Sequence, residues 1–108
     1  MKYNITQFEV KAGQEVTLIM NNTATSPVMK HNIVVLASDK HITEIGIAAI
    51  TAPNNIPEHK DILAYTPIAD IGESQKVTFM APEKKGKYPY LCTYPGHYVL
   101  MRGVMIVK

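Results

Sequence analysis

Three side chains that can bind soft or borderline metal ions lie within ten residues of one another. Residues 92–101 read CTYPGHYVLM and hold the only cysteine of the chain, together with His97 and Met101. Pro95 and Gly96 favour a turn between the cysteine and the histidine, and such a turn can fold both side chains toward one point. His97 and Met101 are four residues apart, so a single helical turn would place them on one face. One loop therefore offers a thiolate, an imidazole nitrogen and a thioether.

A thiolate, imidazole nitrogens and a weakly bound methionine form the ligand set of a blue copper site, which needs a second histidine. The sequence offers His31, His41 and His59. His31 opens the apolar run HNIVVL, which predicts a buried strand whose first end lies at a turn. His41 and His59 lie in a polar segment interrupted by prolines, and we expect them to be solvated surface side chains. His31 is therefore the predicted second histidine.

Other chemistries fit parts of this pattern. A Cys92–His97 pair oriented by Asn32 could act as a nucleophile and base in an enzyme, although this interpretation leaves Met101 and His31 without a role. A zinc site is a further alternative, but methionine is a poor zinc ligand. A copper carrier that hands its ion on would need flexible, exposed ligands, whereas Cys92 ends an alternating strand. The enzyme is the principal rival class.

The pair His31 and Asn32 upstream, with residues 92–101 followed by Arg102 and Gly103, resembles the azurin and auracyanin branch of the cupredoxins, the small blue copper proteins. Plastocyanin and pseudoazurin have a shorter Cys-to-His spacing and a longer His-to-Met spacing. The resemblance implies an all-β fold, a Greek-key β-sandwich of about seven or eight strands, with one short helix in a flap and one type 1 copper ion at one end.

The resemblance also assigns the site residues. The four implied copper ligands are His31, Cys92, His97 and Met101, of which the methionine is the weak axial one. The matching asparagine of the family ties the first ligand loop to the residue after the cysteine, here Thr93. The backbone N–H groups of Asn32 and Tyr94 are expected to point at the sulfur, where they would orient the ligand.

The implied function is one-electron transfer without substrate chemistry, so the chain is not expected to be an enzyme. The implied partners are redox proteins, such as c-type cytochromes or other electron donors and acceptors, that dock transiently at the exposed edge of His97. An apolar patch around this edge is expected to comprise Val28, Met29, Tyr94, Pro95, Val99 and Leu100. The resemblance places the protein in the periplasm or elsewhere outside the cytoplasm.

Two departures from azurins limit what the resemblance implies. Azurins carry a disulfide near the start of the chain, and a sequence with a single cysteine cannot form one internally. Azurins also place a glycine before the first ligand histidine, where its carbonyl lies near the copper, whereas this chain has Lys30. A carbonyl contact to copper is therefore not carried over.

Composition and net charge limit which other classes of protein the chain can belong to. The 108 residues, of which 46% are hydrophobic and 19% charged, predict one folded domain over residues 1–108 and exclude a disordered or transmembrane chain. The net charge of +2 comes from scattered basic residues without interleaved stacking aromatics, so nucleic-acid binding is not expected. The first residues lack the apolar run of a secretory signal, from which we expect a trimmed mature end or the edge of a longer protein.

Apolar alternation predicts the elements that position these residues. Residues 3–10 predict a first strand broken by a bulge, and residues 8–17 resemble the opening hairpin of the cupredoxins. Mixed apolar spacing over residues 39–51 predicts a short helix with Ser38 or Asp39 as its N-cap.

The strand before the ligand loop carries a second signal. Tyr88, Tyr90 and Cys92 alternate, so Cys92 is predicted to leave its strand on the face that carries two tyrosines. Pro89 has no N–H to donate to a ladder, which predicts an edge strand or a local irregularity.

Overall fold

The computed structural model describes residues 1–26 and 29–108. The regular elements of these residues are seven strands, one α-helix and two 3₁₀ turns. Their bounds are β1 Gln7–Val10, β2 Glu15–Asn21, β3 Val34–Leu36, α1 Ile42–Ala48, a 3₁₀ turn Pro53–Asn55, β4 Ile62–Tyr65, β5 Ser74–Met80, β6 Gly86–Leu91, a second 3₁₀ turn His97–Val99, and β7 Arg102–Val107. The predicted β fold with one short helix is confirmed.

The strands form two sheets. The larger sheet has the order β1-β7-β6-β3-β4, and the smaller sheet pairs β2 with β5. β1 runs parallel to β7, and the other paired strands are antiparallel. In β2, Val16 and Met20 are buried while Thr17 and Ile19 are exposed, so the smaller sheet turns one face to the core and one to solvent.

The larger sheet is covered on both faces. Val35 belongs to the core cluster shared with the smaller sheet, whereas Val34 and Leu36 pack on the other side with Ile45 of α1. All three residues of β3 are therefore buried, as the continuous apolar run of the sequence predicts.

The prediction for the N-terminal segment is wrong in two respects. Tyr3 lies outside any strand, and the hydroxyl of its buried ring donates a hydrogen bond of 2.5 Å to the carbonyl of Asn32. β1 begins only at Gln7, and the last ladder bond before it joins the Val104 N–H to the Thr6 carbonyl at 2.9 Å. The turn at Gly13, whose φ is +72°, leads β1 and β2 into different sheets instead of pairing them as a hairpin.

Two further predictions need correction. β6 is a central strand between β7 and β3, so the edge position, one of the two alternatives inferred from Pro89, is wrong. The ladder to β3 pairs Tyr90 and Leu91 and stops before the proline, which agrees with the other alternative, a local irregularity. Helix α1 begins after His41, which makes no side-chain capping bond. Ser38, a predicted N-cap, instead donates a hydrogen bond to a carboxylate oxygen of Asp61 at 3.0 Å.

Within residues 1–26 and 29–108, none of the helices has the length and apolar character needed to cross a bilayer.

Candidate metal centre

His31 stands at the start of the chain segment that becomes β3. Its N–H donates to the carbonyl of Ala69 at 3.2 Å, and the Ala69 N–H donates back at 2.7 Å, which makes an isolated bridge ahead of the strand. The side-chain amide of Asn22 donates to the carbonyls of Met29 and Ala69 at 2.7 and 2.9 Å. These bonds fix the loop on which the histidine sits.

Cys92 follows β6, and the loop after it is closed by its own backbone. The N–H of His97 donates to the carbonyl of Tyr94 at 2.9 Å, the N–H of Met101 to the carbonyl of His97 at 2.9 Å, and the N–H of Cys92 to the carbonyl of Met101 at 3.1 Å. Gly96 has a φ of +83°, in the left-handed region that glycine tolerates best. The predicted turn and the single helical turn after it are both confirmed.

Three ligand-type side chains converge at this end of the molecule. The Cys92 Sγ lies 3.6 Å from the Nδ1 of His97 and 4.0 Å from the Nδ1 of His31. The two imidazole rings have centroids 5.2 Å apart. Cys92 also shares the face of β6 that carries both tyrosines, as predicted. Each of the three side chains is at most 7% exposed, so the cluster is shielded from water.

The spacing fits one transition-metal ion. Bond lengths of about 2.0 Å to nitrogen and about 2.3 Å to sulfur, at a bond angle of about 120°, separate the two ligand atoms by roughly 3.7 Å. The observed separations of 3.6 and 4.0 Å bracket that value. The site therefore needs no large movement to take up an ion.

Met101 is 1% exposed and packs in the same core cluster as Cys92. Its backbone joins both neighbouring site residues, through its carbonyl to Cys92 and through its N–H to His97. The four residues predicted as ligands are thus gathered at one end of the sandwich.

The two remaining histidines lie elsewhere. His41 and His59 form a separate group with Glu44. The expectation that both are solvated surface residues is wrong, because the side chain of His59 is only 15% exposed and its Nε2 is hydrogen bonded to the Glu44 carboxylate.

Burial sets the protonation of the site. It lowers the pKa of His31, with a smaller contribution from the neighbouring His97, and it lowers the pKa of His97. Both rings are therefore neutral at neutral pH and keep a lone pair for a metal. Burial raises the pKa of the Cys92 thiol, while the backbone N–H groups of Asn32 and Tyr94, which donate to the sulfur, oppose that rise. A bound metal would displace the thiol proton.

A buried brace links the two ligand segments. The Asn32 amide nitrogen donates to the Thr93 hydroxyl at 2.8 Å, and the Thr93 N–H donates back to the Asn32 side-chain oxygen at 2.8 Å. The predicted tie between these residues is confirmed. Sequence reasoning missed a third member, because the Thr93 hydroxyl also donates to the carbonyl of Asn55 at 2.7 Å.

A second contact missed from the sequence joins α1 to the ligand loop. A Cβ placed on Gly46 would lie 2.3 Å from the ring of Tyr98, the residue after His97. The ring therefore rests directly on the helix backbone. A glycine inside a predicted helix was the available signal, since it often marks a close approach.

The surface around the ligand loop is largely apolar. Val99 is 56% and Leu100 72% exposed, and Pro95 is exposed beside them. His97 as a whole residue is only 6% exposed, so the accessible edge of its ring is smaller than expected. Tyr94 packs edge-on against it with ring centroids 5.1 Å apart. Val28, also assigned to this patch, lies outside the described residues.

The family model described as copper binding proteins, plastocyanin/azurin family, matches residues 1–108. The chain belongs to this family. Auracyanin-A of Chloroflexus aurantiacus is 38% identical over 100% of this chain and 68% of its own length. The outer membrane protein H.8 of Neisseria meningitidis is 31% identical over 95% of this chain and 60% of its own length.

A solved structure supports the same assignment. The dithionite-reduced auracyanin of the photosynthetic bacterium Roseiflexus castenholzii superposes with a TM-score of 0.89 at 36% identity, covering 99% of this chain and 87% of that one. With its His-Cys-His site, this plastocyanin/azurin family member is a blue copper protein. Its cofactor is copper, and its function is electron transfer.

Proposed function

We propose that this chain carries single electrons between redox proteins with one copper ion held by His31, Cys92, His97 and Met101. The observation that supports it is the convergence of a buried thiol and two buried imidazoles at separations that suit one ion. When bound, copper cycles between Cu(II) and Cu(I) and so takes up and gives back one electron.

The protein's own part is to hold the ligands still. His31 is fixed by its bridge to Ala69, and the loop from Cys92 to Met101 is closed by backbone hydrogen bonds. Asn32 ties the two segments together. A ligand set that does not rearrange keeps the energetic cost of each electron transfer small, and burial keeps water from the sulfur.

Electrons are proposed to pass through the apolar patch beside His97. Of the described residues, the patch comprises Met29, Tyr94, Pro95, Val99 and Leu100. An apolar surface lets a partner approach closely and leave quickly, as weak electron-transfer encounters do. Redox proteins, including c-type cytochromes, are the proposed partners.

The remaining expectations are part of the same proposal. Residues 1–108 form a single cupredoxin domain that works in the periplasm or another compartment outside the cytoplasm. The carrier makes and breaks no substrate bond, so it is not an enzyme. Full burial of Cys92 supports this view, because a nucleophile must reach a substrate and a copper carrier must expose its ligands.

The experiment is to add one equivalent of Cu(II) to the metal-free protein and record the visible spectrum. An intense blue band from thiolate-to-copper charge transfer is expected, and Cys92→Ser should abolish it while the domain stays folded. His31→Ala and His97→Ala should lose the band, whereas the matched variants His41→Ala and His59→Ala should keep it.

Three results would contradict the ligand assignment. These are a band that survives in Cys92→Ser, a band that depends on His41 or His59, and a preference for stoichiometric zinc with no blue form. Rapid alkylation of Cys92 in the native protein would instead favour the nucleophile.

A further inference from the structure

A second group of metal-binding side chains lies away from the copper ligands. His41 and Glu44 stand at the start of α1, and His59 lies in the segment that leads to β4. Their ligand atoms all lie within 4.8 Å of one another, and the Nδ1 of His41 is 3.7 Å from the Glu44 carboxylate. The two rings have centroids 5.0 Å apart.

We propose that His41, Glu44 and His59 bind one divalent ion of the zinc type, independently of copper. Two imidazole nitrogens and one carboxylate oxygen are a recognised set of three protein ligands for zinc, with the remaining position left open to water. Without a thiolate, the group lacks the softness that distinguishes the copper centre.

The spacing of the group suits such an ion. In a tetrahedral site with bonds of about 2.0 Å, ligand atoms are roughly 3.3 Å apart. The His41–Glu44 separation of 3.7 Å is close to this value. The Glu44–His59 hydrogen bond is shorter than the ligand separation expected in such a site. The ion would therefore move these two side chains slightly apart and draw the His41 ring toward them. Side-chain rotation supplies both movements, because the Glu44 side chain is 62% exposed and that of His41 34%.

The carboxylate is already in the form that binds a cation. The hydrogen bond that the Glu44 carboxylate accepts from His59 is the largest cause that lowers the pKa of Glu44, and desolvation opposes it only in part. Glu44 is therefore ionised at neutral pH.

The ring of His59 must change its tautomer when the ion binds. The N–H of Asp61 donates to the Nδ1 of His59 at 3.0 Å, which places the ring proton on Nε2. Coordination through Nε2 moves that proton to Nδ1, so the Asp61 N–H bond is released and no net proton leaves the neutral ring. The backbone amide of Asp61 is consequently a direct reporter of the site.

An occupied site would couple α1 to the copper end. The ion would cross-link the start of α1 to the segment before β4, enclosing the flap between residues 41 and 59. This flap contacts the ligand loop through Gly46 on Tyr98 and through the Asn55 carbonyl on Thr93. Zinc is therefore expected to raise the thermal midpoint of the copper-loaded protein.

The test uses protein without a histidine tag and with its copper centre filled. Zinc titration by calorimetry should show one further ion per chain, with the blue band unchanged. NMR spectra of the backbone amides in the zinc-saturated Cu(I) form should show a large shift of the Asp61 resonance. Because the Cys92→Ser variant should bind zinc in the same way, the outcome does not depend on the proposed blue copper function.

Variants at the group supply the controls. Glu44→Gln, His41→Ala and His59→Ala should each weaken zinc binding at least about tenfold, the lower end of what even outer-sphere changes cost at metal sites. The matched exposed carboxylate variant Glu58→Gln should bind zinc like the parent. Three results would overturn the proposal: a zinc dissociation constant above about 1 mM, an Asp61 amide resonance that does not move, or zinc affinity equal to that of the parent in all three ligand variants.

Discussion

At the scale of single residues, Met101 can be compared with Met105 to test whether it is a weak copper ligand or an ordinary core residue. Met101 is buried in the core cluster that holds Cys92, and Met105 is buried in the same cluster but has no place in the proposed ligand set. The two methionines therefore form a matched pair, equal in chemistry and burial and different in proposed role.

Met101→Leu should keep the blue band and raise the reduction potential, because a thioether that favours Cu(II) is removed. The expected shift is on the order of 60 mV, which for one electron corresponds to a tenfold change in relative affinity for the two oxidation states. Redox titration of the blue band measures it. Met105→Leu should leave the potential unchanged; loss of copper in Met101→Leu would show that the ligand role is misassigned.

Asn32 has a role that can be tested without copper. It is fully buried and exchanges two hydrogen bonds with Thr93. In Asn32→Ala the buried Thr93 N–H is left without its partner, so the free energy of unfolding should fall by about 2–4 kcal/mol.

Urea unfolding of the metal-free protein provides that measurement and keeps copper affinity out of the comparison. Asn4→Ala, at an exposed asparagine, should change stability by less than about 0.5 kcal/mol. Equal stability of the two variants would mean that the brace contributes nothing.

At the scale of elements, α1 acts as a support for the ligand loop. An alanine inside a helix is normally favoured over glycine by about 1 kcal/mol. At Gly46 the new methyl group would collide with the Tyr98 ring, so steric conflict should reverse that preference. Gly46→Ala should lower the free energy of unfolding by about 1–3 kcal/mol and shift the blue band, because Tyr98 follows His97.

A double variant distinguishes this contact from a general loss of helix stability. Gly46→Ala combined with Tyr98→Ala removes the obstructing ring, so the effect of the alanine should become neutral or stabilising when measured in the Tyr98→Ala background. Thermal unfolding and the visible spectrum follow both properties. A Gly46→Ala effect that is the same in both backgrounds would refute the contact.

At the scale of the whole molecule, exposed apolar side chains occur in several places, but only some lie beside the copper centre. Leu100 is 72% exposed within the ligand loop, and Met80 is 63% exposed at the end of β5. Leu100→Lys should slow electron exchange with a c-type cytochrome, whereas Met80→Lys, the matched control, should not.

Stopped-flow mixing at low and high ionic strength provides the measurement. The slowing should persist at high salt, because the loss is one of apolar contact and salt screens only the added charge. The spectrum and potential of Leu100→Lys should match the parent, since Leu100 is not a proposed ligand. Equal rates in both lysine variants would mean that electrons leave elsewhere.

The sequence by itself determined the arrangement of the ligand loop, because that arrangement depends on residues that are close together in the chain. Cys92, His97 and Met101 lie so close in the chain that a proline, a glycine and one helical turn decide their mutual placement. The alternating strands were also readable, because β2 and β5 each turn one face to water. The continuous run of β3 signalled burial on both faces.

What only the tertiary structure decided involves residues far apart in sequence. The sequence favoured His31 over His41 and His59 because His31 opens an apolar run, but only the tertiary structure brings its Nδ1 to 4.0 Å from the Cys92 Sγ. The departure of residues 1–6 from the first strand follows from burial of the Tyr3 ring, which local alternation does not encode.

The same limit applies to Pro89 and to the flap. The missing N–H of Pro89 suggested either an edge strand or a local irregularity, and only the structure shows that β6 is central and that its neighbour β3 stops pairing before the proline. Gly46 and Asn55 support the ligand loop through packing between segments that lie far apart in the sequence. The same kind of packing brings together His41, Glu44 and His59. No local sequence pattern predicts either arrangement. Such contacts are fixed only when the sheets close and α1 packs against them.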